Sequence, residues 1–253
     1  MFEGESTNGC DLTLVVPFYN PGPRFGSHIA EIIDVLNDED ISYEIIAVSD
    51  GSTDDSENQL NVITANELTI IRSLNNQGKG EAIRIGLSKG SGRYLGFIDA
   101  DGDLPAKLLR NISKLMKIDK PDIIYGSKRH PKSKVHYPPV RRIYSWGYQW
   151  LIKLLFGLPV RDSQTGIKLI RKDVLADVLP RMIEKRFAFD LELFVVANHR
   201  GFNQFIEIPV SILERFSSTI SIKTVRQMLQ DTVGIFYRLR IIHFYGHKIK
   251  KNK

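Results

Sequence analysis

The chain of 253 residues contains one cysteine, Cys10, so no disulfide can close within it, and this suits a reducing compartment. No run approaches the ~18 apolar residues that a membrane-crossing helix requires. The opening stretch MFEGESTNGCDLT has neither a basic start nor an apolar core, so no secretory signal is expected. Familiar signatures are missing too. There is no G-x-x-x-x-G-K-[ST] phosphate loop, and no G-x-G-x-x-G follows the first apolar run, which argues against a dinucleotide oxidoreductase. Neither G-x-S-x-G nor a cysteine–histidine pairing suggests nucleophilic catalysis. Acidic residues are absent between Lys128 and Arg161 and again after Asp231.

That last absence reflects a division of charge. Residues 1–122 carry 11 Lys/Arg and 20 Asp/Glu, a net of −9, whereas residues 123–253 carry 24 and 9, a net of +15. A basic half suits nucleic acid, phosphates or an anionic membrane surface. Apolar runs at 12–18, 43–49, 68–72, 94–99 and 122–126 alternate with helical patterns at 26–37, 54–64, 81–89 and 105–117. This alternation predicts an α/β fold with a mostly parallel sheet and helices on both faces. Ligands in such sheets bind beyond the carboxyl ends of the strands. Polar clusters stand at four of those ends: YN, DGSTDD, NNQGKG and DADGD. They describe one site.

The last cluster is the most informative. Asp99, Asp101 and Asp103 repel one another unless a cation joins them, and carboxylates are the oxygen ligands that Mg²⁺ or Mn²⁺ prefers. Turn chemistry alone is the alternative, but the place of the cluster at the end of a buried strand favours function. Asp50 ends the second strand, where it could accept hydrogen bonds from a nucleobase. Lys79 lies between Gly78 and Gly80 at a helix start, where free amides favour anions. Asp190 and Glu192 read equally well as an N-cap with a surface residue or as part of the site. Residues 188–200 read as a helix and FIEIPVSIL as a strand, and from Ser221 apolar residues recur at helical spacing in a basic segment. The stretch 144–158 is aromatic and too short to span a bilayer. Its Trp146, Trp150, Leu151 and Phe156, beside unopposed Lys/Arg, predict an amphipathic helix lying in a membrane interface, with an ordinary core helix as the alternative.

Taken in order, VVPFYN, VSDGSTD, NQGKGEAIRIG, DADGD, YGSK, DSQTGIKL, FAFDLEL and EIPVSILER resemble the family 2 glycosyltransferases of the GT-A (Rossmann-like) fold. The resemblance covers about 12–240 and is nearest to the polyprenyl- and dolichyl-phosphate sugar synthases, on the glucosyl rather than the mannosyl side. It implies one domain over 1–253, with a nucleotide-sugar half at 11–126, an acceptor half at 127–218 and a C-terminal amphipathic helix and basic tail at 219–253. It implies an inverting, metal-dependent transfer of a hexose, glucose from UDP-glucose, to a polyprenyl phosphate at the cytoplasmic face of a membrane. Pro17, Tyr19, Asp50 and Lys79 would contact the nucleotide, and Asp99 and Asp101, helped by Asp103, the nucleotide-sugar and Mg²⁺ or Mn²⁺. Asp162 and Gln164 would line the sugar pocket. Lys128, Arg129, Arg141, Ser145 and Arg215 would hold phosphates; Lys128 stands where related enzymes often have Arg, which keeps the charge and loses the bidentate fork.

A phosphate acceptor also accounts for the lack of an obvious general base, since a phosphate monoester, with a second pKa near ~6, is already anionic at neutral pH. The alternatives are a GDP-mannose donor, a saccharide or protein hydroxyl acceptor and, from another class, nucleic-acid binding, which leaves DADGD unexplained. No nucleic-acid partner is expected.

Overall fold

The computed structural model describes residues 9–118, 120–135, 139–212 and 222–246. The first half forms β1 (Leu12–Phe18), α1 (Phe25–Asn37), β2 (Tyr43–Ser49), α2 (Ser56–Asn61), β3 (Leu68–Arg72), α3 (Lys79–Lys89), β4 (Tyr94–Ile98), α4 (Leu108–Ile118) and β5 (Ile123–Ser127). The second adds β6 (Lys134–Val135), α5 (Pro139–Phe156), β7 (Ile167–Arg171), α6 (Lys172–Val178), α7 (Phe189–Arg200), β8 (Phe205–Pro209), β9 (Ser211–Ile212) and α8 (Ile222–Arg240).

Seven strands make one sheet in the order β3-β2-β1-β4-β7-β5-β8. All neighbours are parallel except β7, which runs antiparallel between β4 and β5. The sequence reading contains no strand within RDSQTGIKLIRKD; IKLIR is β7, and its insertion joins both halves of the chain in a single sheet. The expected strand FIEIPVSIL breaks at Val210 into β8 and β9, and β9 leaves the main sheet to pair with β6. Proline at 209 supplies no backbone N–H to continue the ladder.

Every residue of β1 and β4 is buried, because helices cover both faces. Side chains alternate across the pleat. Leu12, Leu14, Val16 and Phe18 enter one apolar layer with Phe25, Ile29, Ile32 and Leu36 of α1. Val15, Leu95 and Phe97 enter the other, with residues of α3, α6 and α7. Strand order reverses at β1, whose neighbours are β2 on one side and β4 on the other, and such a switch point opens a crevice at the carboxyl ends of the strands.

Candidate active site

A cleft of about 570 Å³ occupies that crevice. Pro17 and Tyr19 come from the end of β1, Asp50 from β2, Lys79 from α3, and Asp99 and Asp101 from β4, so one wall gathers all the residues expected at the nucleotide. Tyr19 is half exposed, a flat ring open to the cleft.

Several of these side chains have partners within the protein. The buried Asp50 carboxylate accepts the backbone N–H groups of Gln77 (2.7 Å) and Gly78 (2.8 Å). It therefore fixes the loop before α3, a role the sequence reading did not assign. Gly78 sits there at φ +108°, and a Cβ on it would stand 2.5 Å from the Lys185 carbonyl oxygen, so only glycine fits. Lys79 Nζ lies 2.5 Å from Asp99 Oδ1 and over the ring of Phe97 at 5.8 Å. Burial lowers the lysine's proton affinity, but the charges of Asp99 and Asp190 outweigh it and raise the group above its ordinary value. The carboxylate cluster thus already holds one cation of the protein's own.

Asp101 is the carboxylate left for an external one. It is exposed at the mouth of the cleft and also borders a second cavity, of about 370 Å³, beneath α1. Even so, the protein around it displaces enough water to raise its carboxyl above the ordinary aspartate value. The Asp103 amide, which donates to Asp101 Oδ1 at 3.1 Å, opposes that rise, the Asp103 charge adds to it, and Lys79 and Lys128 oppose it. Among the described residues no three His, Cys, Asp or Glu converge as a complete metal cage. That donor set suits Mg²⁺ or Mn²⁺, which takes one or two carboxylates and fills its remaining positions with water and substrate phosphate.

The sugar-side residues lie on the turn before β7. Asp162 Oδ2 accepts the Lys128 amide (2.9 Å) and the Thr165 hydroxyl (2.6 Å), and its Oδ1 accepts the Gln164 amide (3.1 Å). Asp162 is thereby the knot tying this turn to the loop after β5, and it brings Lys128 and Arg129 to the same edge. Gln164 Nε2 and Ser163 Oγ are buried without a hydrogen-bond partner among the described residues, so each has a donor to give. The Gly166 carbonyl accepts the Asp99 amide at 2.8 Å, and a Cβ on Gly166 would fall 2.0 Å from Asp99 Oδ2. For Arg141 and Ser145 the structure describes only the backbone of α5, and Arg215 lies outside the described residues.

Three expectations need correction. Asp190 is no N-cap: Ala188 precedes α7, and Asp190 is buried in an ion pair with Lys168. Glu192 is no surface residue. It is fully buried, accepting the amides of Ile183 (2.9 Å) and Glu184 (2.8 Å) and the Tyr245 hydroxyl (2.7 Å). Phe156 packs in the core with Ile152 and edge-on to Phe236, so α5 presents only one of its faces outward. On that face Trp146 is 68% exposed, Trp150 62% and Leu154 66%, spaced four apart. On α8, Val225, Leu229, Val233 and Tyr237 repeat the spacing and are also exposed, and Tyr148 Oη and Thr232 Oγ1, 3.0 Å apart, hold the two helices together. Among the described residues no helix is long and apolar enough to cross a membrane.

Sequence reasoning also missed Arg186 and Phe187, which line the cleft. Only their place between α6 and α7 reveals them, since a lone Arg-Phe pair carries no pattern.

The family model for Glycosyl transferase family 2 matches residues 13–179, from β1 through α6, a span that supplies the Asp162 turn and all of the cleft lining except Arg186 and Phe187. The chain belongs to glycosyl transferase family 2. This family 2 enzyme is 31% identical over 245 residues to a dolichyl-phosphate beta-glucosyltransferase of Trichomonas vaginalis, covering 91% of this chain and 75% of the relative. It is 29% identical to the dolichyl-phosphate beta-glucosyltransferase of Dictyostelium discoideum, covering 90% and 74%. Among solved structures, glucosyl-3-phosphoglycerate synthase from Mycobacterium tuberculosis in complex with uridine diphosphate shares the fold, with a TM-score of 0.68 at 15% identity over 99% of this chain and 88% of that one. The same synthase has been solved with Mn²⁺, UDP-glucose and phosphoglyceric acid. The chain is a GT-A glycosyltransferase, as its motifs imply.

Proposed function

We propose that this glycosyltransferase moves glucose from UDP-glucose to a dolichyl-type polyprenyl phosphate at a membrane surface, with inversion and with Mg²⁺ or Mn²⁺ bound at Asp101 and Asp99. The observation that carries the reading is a nucleotide-sized cleft ending on Asp99 and Asp101, in a chain whose relatives are dolichyl-phosphate glucosyltransferases. Tyr19 offers a face to the base, and the amides fixed by Asp50 shape the wall behind it. Gln164 and Ser163 have donors for sugar hydroxyls or phosphate oxygens. When bound, the metal supplies positive charge against the departing diphosphate. Lys79 holds Asp99 in a fixed rotamer for it, and Lys128 and Arg129 add positive charge where two phosphates must approach each other. An acceptor phosphate oxygen attacks the anomeric carbon as the bond to the UDP oxygen breaks; the attacking oxygen is already ionised, so no protein base takes a proton.

The lipid acceptor requires a membrane face, and the exposed stripes of α5 and α8 supply one. Lys153, Arg226 and Arg240 on those helices place cations beside the apolar side chains, an arrangement suited to anionic headgroups. The deciding experiment is incubation with radiolabelled UDP-glucose, Mg²⁺ and a short polyprenyl phosphate, then extraction into organic solvent. Label in the organic phase is expected from UDP-glucose and not from GDP-mannose. Transfer from GDP-mannose instead would reverse the donor, and label found only on a soluble saccharide would reverse the acceptor.

A further inference from the structure

Lys168 is the second residue of β7 and fully buried, in a run with Ile167, Leu169 and Ile170 where an apolar residue would be expected. Its ammonium pairs with Asp190 in the first turn of α7, donates to the Thr165 carbonyl at 2.6 Å, and faces the rings of Phe97 (5.3 Å) and Phe194 (5.7 Å). Replacing a buried ion pair with apolar side chains of similar volume is often neutral or stabilising, so stability alone does not explain this one. Its contacts lead to the site. The Thr165 hydroxyl donates to Asp162, the next carbonyl, of Gly166, accepts the Asp99 amide, and the donor group of Gln164 lies on the same turn. The Phe97 ring beneath Lys168 also lies beneath Lys79, the partner of Asp99.

We infer that Lys168, charged and paired with Asp190, is a positioning residue for glycosyl transfer. It braces the turn 162–166 against the end of β4, so that Gln164 and Asp99 meet the donor in fixed register. This rests on the function proposed above. Neither residue touches the cleft, so their effect passes through the turn.

The test uses the full chain with UDP-glucose, Mg²⁺ and a short polyprenyl phosphate. The double variant Lys168→Met/Asp190→Leu removes both charges and approximately keeps the volume. We expect its melting temperature and UDP affinity to match wild type while kcat falls at least tenfold, with KM for the donor unchanged. A stable double variant with wild-type kcat overturns the inference, because a purely structural pair predicts that result. A second variant, Asp190→Asn, reads the charge itself. Burial already lowers the proton affinity of Lys168; Asp190 raises it, Lys79 lowers it and Asp162 raises it. Without the Asp190 charge the lysine deprotonates at lower pH, so kcat should decline with rising pH across a range where wild type is flat, and recover on acidification. A profile parallel to wild type overturns the inference, as does failure of both variants to fold, which makes the pair a folding requirement. Wild type run alongside separates two failures: if it yields no lipid-linked glucose the proposed function falls and takes this inference with it, whereas normal wild-type turnover confines the failure to Lys168.

Discussion

At the scale of single residues, the site is a set of charges with unequal freedom. Asp99 is held by Lys79, Asp50 by two amides and Asp162 by three donors, which leaves Asp101 to meet a cation. Asp101→Asn keeps the shape and the bond from the Asp103 amide but removes the charge, so turnover should fall by roughly 10²–10³-fold, the range lost with one preorganised electrostatic partner. Mn²⁺-dependent UDP binding, followed by titration calorimetry, should weaken in step while the melting temperature holds. The raised carboxyl also sets a pH dependence. Asp101 must be ionised to bind metal, so metal affinity should decline on acidification from a pH above the usual aspartate range, and calorimetry across pH tests it. Asp50→Ala leaves two partly exposed amides without their carboxylate, at a cost below the ~1–3 kcal/mol of a buried unpaired group, since water can reach them. Because those amides shape the nucleotide wall, the Michaelis constant for the donor should rise more than kcat falls.

Among the elements, β7 matters most, because it runs against its neighbours and carries the turn that meets Asp99. Gly166 permits this contact by having no side chain. Gly166→Ala would push a methyl into the Asp99 carboxylate, so kcat should drop at least tenfold while circular dichroism shows an unchanged fold. The helices α5 and α8 act differently. Each buries one face, with Ile152 and Phe156 on α5 and Ile235 and Leu239 on α8, and leaves an apolar stripe outside. Trp146→Ala with Trp150→Ala should therefore alter stability by no more than about 0.5 kcal/mol per site, as exposed positions do. The same variant should lose liposome binding and activity on long-chain acceptors, while UDP binding persists. Unfolding of the variant would place these tryptophans in the core after all.

For the whole molecule, the division of charge follows the division of labour. The acidic first half lines most of the cleft, where the proposed function seats the donor, and the basic second half adds Arg186 and Phe187 to it and carries the apolar stripes with their neighbouring Lys and Arg. An anionic leaflet attracts each nearby Lys or Arg by about 1 kcal/mol, and salt screens that term but not apolar insertion. Binding to vesicles should therefore strengthen with anionic lipid and weaken, without vanishing, in high salt. Complete release by salt would reduce the contact to charge alone.

What the amino-acid order determined by itself was local. Apolar runs marked the first five strands, helical spacing marked α8, and the polar clusters after four of those strands marked the candidate site, because periodicity records which side of an element meets the core. Recurrent motifs added the family. Partners far apart in the chain were decided only by the tertiary structure. Asp190 and Glu192 share a short acidic motif, yet one pairs with Lys168 and the other binds Tyr245, and neither pairing has a local signature. The antiparallel insertion of β7 was hidden for the same reason, since a five-residue run does not state its neighbours. Lys79 and Asp50 read as ligand contacts because their types and places fit one, and both line the cleft; the fold also gives them partners of the protein's own, Asp99 and the Gln77 and Gly78 amides. A side chain's type states what it can bond, and only the packed chain settles which candidate comes within reach.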